Sequence, residues 1–88
     1  MTRKMQKIFD ELDIAVRERG AAEDLRARIF MLKNREKDIL FRMEIRAYHY
    51  LLEELERIVE RVRNCGADPE IRSVEIINAY ITESVMES

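Results

Sequence analysis

His49 and Glu53 stand four residues apart in a stretch of helix-forming residues. On a helix the two side chains would share one face, where they could hold a divalent cation between them. Glu44, Glu56 and Glu60 lie nearby, yet none has the Glu-x-x-His relation by which helical bundles build di-iron centres. Two ligands are half of a site, and an imidazole beside carboxylates on a solvated face is the plainer reading. No metal and no cofactor are expected. Cys65 is the sole cysteine, which excludes an internal disulfide and a cysteine pair for zinc or redox work. It stands where a helix is expected to end, and the negative end of a helix is a poor place to activate a thiol nucleophile. A packed cysteine, or one paired with another chain, is expected there. The sequence holds no Ser/His/Asp set, no glycine-rich phosphate loop and no histidine pair, so no catalytic residue is assigned.

Nucleic-acid chemistry is the other candidate. Tyr48, Tyr50 and Tyr80 could stack on bases, and Lys33, Arg35 and Lys37 could meet phosphates. Tyr48, however, falls inside an apolar ladder, where a tyrosine is more often the edge of a core. Glu36 and Asp38 interrupt the basic run, which makes a solvated face the expected outcome. A helical nucleic-acid-binding regulator is kept as an alternative.

The elements that must carry these residues are helices. Phe41, Ile45, Tyr48, Leu52, Leu55, Val59 and Val62 recur at alternating steps of four and three, the heptad spacing of a buried seam. Leu40, Met43, Ala47, Leu51 and Ile58 form a second apolar set beside it. Two adjacent stripes are wider than a two-stranded coiled coil needs, and they predict the middle member of a bundle. Before it, Met5, Ile8, Phe9, Leu12 and Val16, with Ala15, mark an amphipathic helix over about 2–18. Gly20 then offers a left-handed cap or a kink, and Glu23 and Asp24 suit the start of a new helix.

Leu25, Ile29 and Leu32 continue in phase, but Ile29-Phe30-Met31-Leu32 is apolar on every side. Four successive helical residues sweep about 300° of the circumference, so this turn must be central or covered by another chain. The polar run from Lys33 to Asp38 contains no Gly, Pro or Ser. One continuous helix over about 21–64 is therefore expected, with a break near 34 as the alternative. Asn64-Cys65-Gly66 reads as a helix stop. Asp68 and Pro69 then read as a cap and first turn for a last helix over about 69–86. That helix would bury Ile71, Val74, Ile77, Ile81 and Val85 and leave Ile76 and Met86 off its face.

Length and composition bound the rest. Eighty-eight residues make one domain, spanning 1–88, with 47% apolar and 39% charged residues. A fold of that size buries only about 60% of its chain surface, which leaves a thin stability margin. Two glycines and one proline are too few for the turns of a β or α/β fold. The net charge of −2 gives no global pull toward nucleic acid or an anionic membrane. Between 21 and 46 bases exceed acids by two, and from Cys65 onward acids exceed bases by four. No membrane span is expected, because no window approaches eighteen uncharged apolar residues. The basic start has no apolar run behind it, so no secretory signal is expected and the cytoplasm is the expected location.

Gly66-Ala67-Asp68-Pro69-Glu70-Ile71, then Ile76-Ile77 and Glu83-Ser84-Val85, with Leu55-Glu56-Arg57-Ile58 upstream, is similar to the last turn and helix of the all-helical chorismate mutases. The likeness covers about the final third of the chain and would imply a helical mutase. That family's Asp-x-x-Arg-Glu motif is replaced here by Arg46-Ala47-Tyr48-His49-Tyr50-Leu51. Arg26 and Lys37 have a fitting separation but stand out of phase with the rest, so no catalytic residue carries over.

The reading is an all-α antiparallel bundle of three helices, four if the chain breaks near 34, with a long central helix. It is expected to be a homodimer or higher oligomer in a protein–protein interaction, assembly or regulatory role without catalysis. The partners expected are itself and other helical proteins, with neither nucleic acid nor membrane. The expected interface is Ile29, Phe30, Met31, Leu32, the ladder Phe41, Ile45, Tyr48, Leu52, Leu55, Val59 and Val62, and Ile76.

Overall fold

Apolar spacing sets the helices, and the computed structural model, which describes residues 2–87, is helical throughout, with no strand among those residues. Five α-helices follow one another: α1 (Thr2–Glu18), α2 (Glu23–Lys33), α3 (Glu36–Arg42), α4 (Ile45–Cys65) and α5 (Ile71–Glu87). A single 3₁₀ turn, Asp68–Glu70, leads into α5.

The first helix ends as its glycine suggests. Gly20 takes φ 64°, its N–H donates to the Arg17 carbonyl at 3.1 Å, and the Ala21 N–H donates to the Val16 carbonyl at 3.1 Å. Those two bonds form a Schellman cap, which satisfies carbonyls the helix leaves open and turns the chain into α2. Ala22 precedes α2 in extended backbone without a side-chain cap, and the acids Glu23 and Asp24 occupy the first turn instead.

The single helix expected over 21–64 is three helices. At Asn34 and Arg35 the departure is slight. Asn34 keeps near-helical angles (φ −69°, ψ −12°), Arg35 opens to φ −95° and ψ 13°, and its N–H bonds the Leu32 carbonyl at 3.0 Å in 3₁₀ fashion. This is a kink, so at 34 the alternative of a break takes the place of the expected continuity. Arg35 fastens it, donating to the Asn78 carbonyl at 3.1 Å, to Asn78 Oδ1 at 2.9 Å and to Thr82 Oγ1 at 2.5 Å, all on α5.

The second break has no turn residue to announce it. Met43 (φ −87°, ψ 142°) and Glu44 (φ −65°, ψ 154°) are extended. Phase explains it. Ile39 and Tyr48 are nine residues apart, which at roughly 100° per residue sets them on opposite sides of a continuous helix. Both are buried, at 1% and 3% exposure, and only a break lets both point inward. The ladder is corrected accordingly. Phe41 lies on α3 and is 81% exposed, Ile45 opens α4 and is 62% exposed, and the buried seam runs from Tyr48 to Val62.

At the other end of α4, Gly66 adopts φ 102° and ψ 165°, a region open in practice only to glycine, and its N–H bonds the Val62 carbonyl at 3.0 Å. Asp68 and Pro69 do not open an α-helix directly. They form the 3₁₀ turn, whose Glu70 N–H bonds the Ala67 carbonyl at 2.9 Å, and α5 starts two residues later than expected. Glu70 is the buried charge of the described residues, and Arg61 Nε from α4 meets its carboxylate at 2.9 Å. The α4–α5 turn is thereby tied to the helix it leaves.

Helix packing runs around a common core: α1 lies on α4, α4 on α5, α5 on both α2 and α3, and α2 on α1. The interior is one apolar cluster to which every α-helix contributes, Ile39 being the buried residue from α3. The molecule measures 36 × 22 × 18 Å with a Cα radius of gyration of 12.3 Å. That is close to the roughly 12 Å of a folded chain this long, so the core closes within one copy.

Candidate interaction surface

Of the residues expected at an interface, Ile29, Leu32, Tyr48, Leu52, Leu55, Val59 and Val62 are buried in the chain's own core. A partner helix cannot reach them while this fold holds. Phe30, Met31, Phe41, Ile45 and Ile76 are exposed, each above half of its surface. The apolar turn Ile29–Leu32 is therefore divided: Ile29 and Leu32 point inward, while Phe30 (64% exposed) and Met31 (53%) point to solvent. Ile14, Tyr50 and Met86 are exposed too and lay outside the expected set.

The cause is the wheel of α2. Leu25, Ile29 and Leu32 fill the arc turned to the core. Opposite them, at about 100° per residue, fall Glu23, Ala27, Phe30, Met31 and Asn34, all exposed. Ala27 is small, so α2 carries a shallow saddle there, bordered by the two large apolar side chains. A groove opens on each side. Between α2 and α5 lies one of about 390 Å³, where Asp24, Ala27, Arg28 and Met31 face Val74, Glu75 and Asn78. Arg28 bridges it by an ion pair to Glu75 at 3.0 Å. Between α1 and α2 lies another of about 770 Å³, where Asp13 and Arg17 face Glu23, Arg26, Phe30 and Lys33. Titratable groups leave the α5-side groove one charge negative and the α1-side groove one charge positive.

A third cleft, of about 140 Å³, separates α4 from α5 and is edged by Tyr50, Ile76 and Tyr80. The rings of Tyr50 and Tyr80 meet at 5.1 Å between centroids, tilted by 53°, a packing contact between helices. Tyr48 is inside the core, its ring edge-on to His49 at 5.8 Å. Burial pushes its phenol above the ordinary value of 10.0. The three tyrosines thus do not form one stacking surface.

The residues with chemical potential are dispersed. His49 and Glu53 are both exposed on α4, and among the described residues no three His, Cys, Asp or Glu side chains gather as a cation site. Cys65 is a free, exposed thiol at the last residue of α4. The basic run is largely engaged within the molecule. Lys33 approaches Asp10 at 4.0 Å, Arg35 is bound to α5, and Glu36 accepts a hydrogen bond from Gln6 at 3.1 Å. Among the described residues, no helix is long and apolar enough to cross a membrane. No family model matches the chain, and neither a curated protein nor a solved structure matches it.

Proposed function

We propose that the protein is a helical interaction module that works without catalysis as a homo-oligomer, in an assembly or regulatory role. One observation carries the reading. The core is closed by residues from all five helices, yet Phe30 and Met31 stand in water on a turn whose other two residues are buried. Exposed large apolar side chains grouped beside grooves mark association surfaces. The helical mutase reading loses support, since Arg26 lies on the exposed flank of α2 and Lys37 on the exposed side of α3, where neither side chain is enclosed. The nucleic-acid reading weakens because Lys33 and Arg35 are engaged within the fold.

The exposed stripe is short. An eleven-residue helix is roughly 16 Å long, so an interface centred on it belongs to the small, reversible class. Sedimentation equilibrium from low micromolar to millimolar chain is expected to show mass rising from one chain to two. A single-chain mass over the whole range refutes the oligomer.

A further inference from the structure

We infer that the break at Met43 and Glu44 is a hinge that straightens, so that two copies exchange their α1–α3 and α4–α5 halves in an interlocked dimer. The inference rests on the homo-oligomer proposed above and names a form of it that makes no use of the exposed α2 turn.

The interior imposes this break, and the residues at it do not. Gly20 and Gly66 hold the turns after α1 and α4 with positive φ, whereas methionine and glutamate are both good helix formers. Glu44 makes no side-chain cap bond, and the first turn of α4 holds no acid. Ile39 and Tyr48 force the break, because both must reach one interior from opposite sides of a straight helix. Two interiors remove that conflict. A straight helix from Glu36 to Cys65 presents Ile39 to one core and Tyr48 to a second core on its other side. Each core then takes α1, α2 and α3 from one copy and α4 and α5 from the other.

The packing allows the exchange without loss. The contacts of α1 with α4, and of α5 with α2 and α3, all join the segment before the hinge to the segment after it. The Arg28–Glu75 ion pair and the bonds from Arg35 to Asn78 and Thr82 cross the hinge as well. Exchange remakes each of them between copies, the low-cost route by which swapped dimers form. Burial is gained too. Phe41 and Ile45, 81% and 62% exposed in one copy, fall within about 60° of Tyr48 on a straight helix. They then lie on the face turned to the second core, and the ladder from Phe41 to Val62 becomes one unbroken seam.

Glu44→Pro separates the two forms. Glu44 has φ −65°, the value proline imposes, and Met43 before it is extended at ψ 142°, as a residue preceding proline requires. Proline therefore suits the broken chain, while in a straight helix it removes a backbone bond and clashes with the preceding turn. Each protein is refolded from urea at millimolar chain, diluted to low micromolar and sized at once by gel filtration. Circular dichroism melting checks the fold of the single chain. The wild type is expected to give a dimer that persists after dilution, because release of the exchanged halves requires unfolding. Glu44→Pro is expected to lower the association constant of that dimer about a hundredfold or more, with unchanged melting of the single chain. Met43→Gly, which disfavours helix without restricting extended backbone, is expected to lower it roughly tenfold. A persistent dimer that both variants form as readily as the wild type overturns the hinge and leaves the homo-oligomer standing. So does a mass that rises with concentration but returns to one chain at once on dilution. A single-chain mass under every condition overturns both.

Discussion

Ile39→Ala and Phe41→Ala, made separately, test whether the chain breaks between α3 and α4. Ile39 is 1% exposed and Phe41 81%. Truncating a buried isoleucine removes its transfer energy and leaves a cavity, together about 3 kcal/mol, against a gain of a few tenths from alanine's better helix propensity. An 88-residue fold has roughly 4–13 kcal/mol of stability in all, so Ile39→Ala consumes a large fraction of it. At this size each kcal/mol moves the midpoint by about 4–8 °C, so the expected drop is on the order of 12–24 °C. Phe41→Ala removes an exposed ring and is expected to stay within about 0.5 kcal/mol. Urea and thermal unfolding followed by circular dichroism measure both, at one low chain concentration so that association contributes equally. A continuous heptad helix predicts the reverse order, with Phe41 in the seam and Ile39 outside it. A tolerated Ile39→Ala beside a strongly destabilised Phe41→Ala would refute the broken-helix reasoning.

The two glycines should differ. Gly20 sits in the left-handed region at φ 64°, while Gly66 sits at φ 102° and ψ 165°, and neither has a neighbour that an added Cβ would strike. Gly66→Ala is therefore expected to cost about 1–3 kcal/mol and Gly20→Ala about 1 kcal/mol, all of it backbone strain visible in urea midpoints. Tyr48 sets an alkaline limit. Its phenol binds a proton more tightly folded than unfolded, so the stability it lends is whole below pH 10.0 and declines as pH rises toward the folded value. Unfolding free energies above pH 10.0 should fall in the wild type and fall less steeply in Tyr48→Phe; equal slopes would show that Tyr48 does not carry the effect.

Much of the fold was legible in the chain because helix periodicity is local. Met5, Ile8, Phe9, Leu12 and Val16 specified α1 and its buried face, Gly20 specified where α1 stops, and Gly66 ended α4. Each of those decisions depends on residues within one or two turns of one another. The break at Met43 and Glu44 was not legible, since neither residue disfavours helix as glycine or proline would. It follows from Ile39 and Tyr48 competing for one interior, a conflict that exists only once α1 and α5 define where that interior lies. The two charged fastenings are of the same kind. Arg35 reaches α5 across 43 residues of sequence, and Arg61 meets Glu70 across nine, around a turn whose shape must already be set.

The candidate surface divides in the same way. Composition alone established that Ile29, Phe30, Met31 and Leu32 exceed what one helix face can hide, because four successive residues nearly encircle a helix. Tertiary packing decided which of them stay outside. With α2 wedged between α1 and α5, the arc bearing Leu25, Ile29 and Leu32 turns inward, and Ala27, Phe30 and Met31 remain at the surface. Periodicity is a property of one helix and can be read along the chain. Which way a helix faces depends on its neighbours, and those are supplied by residues far away in sequence.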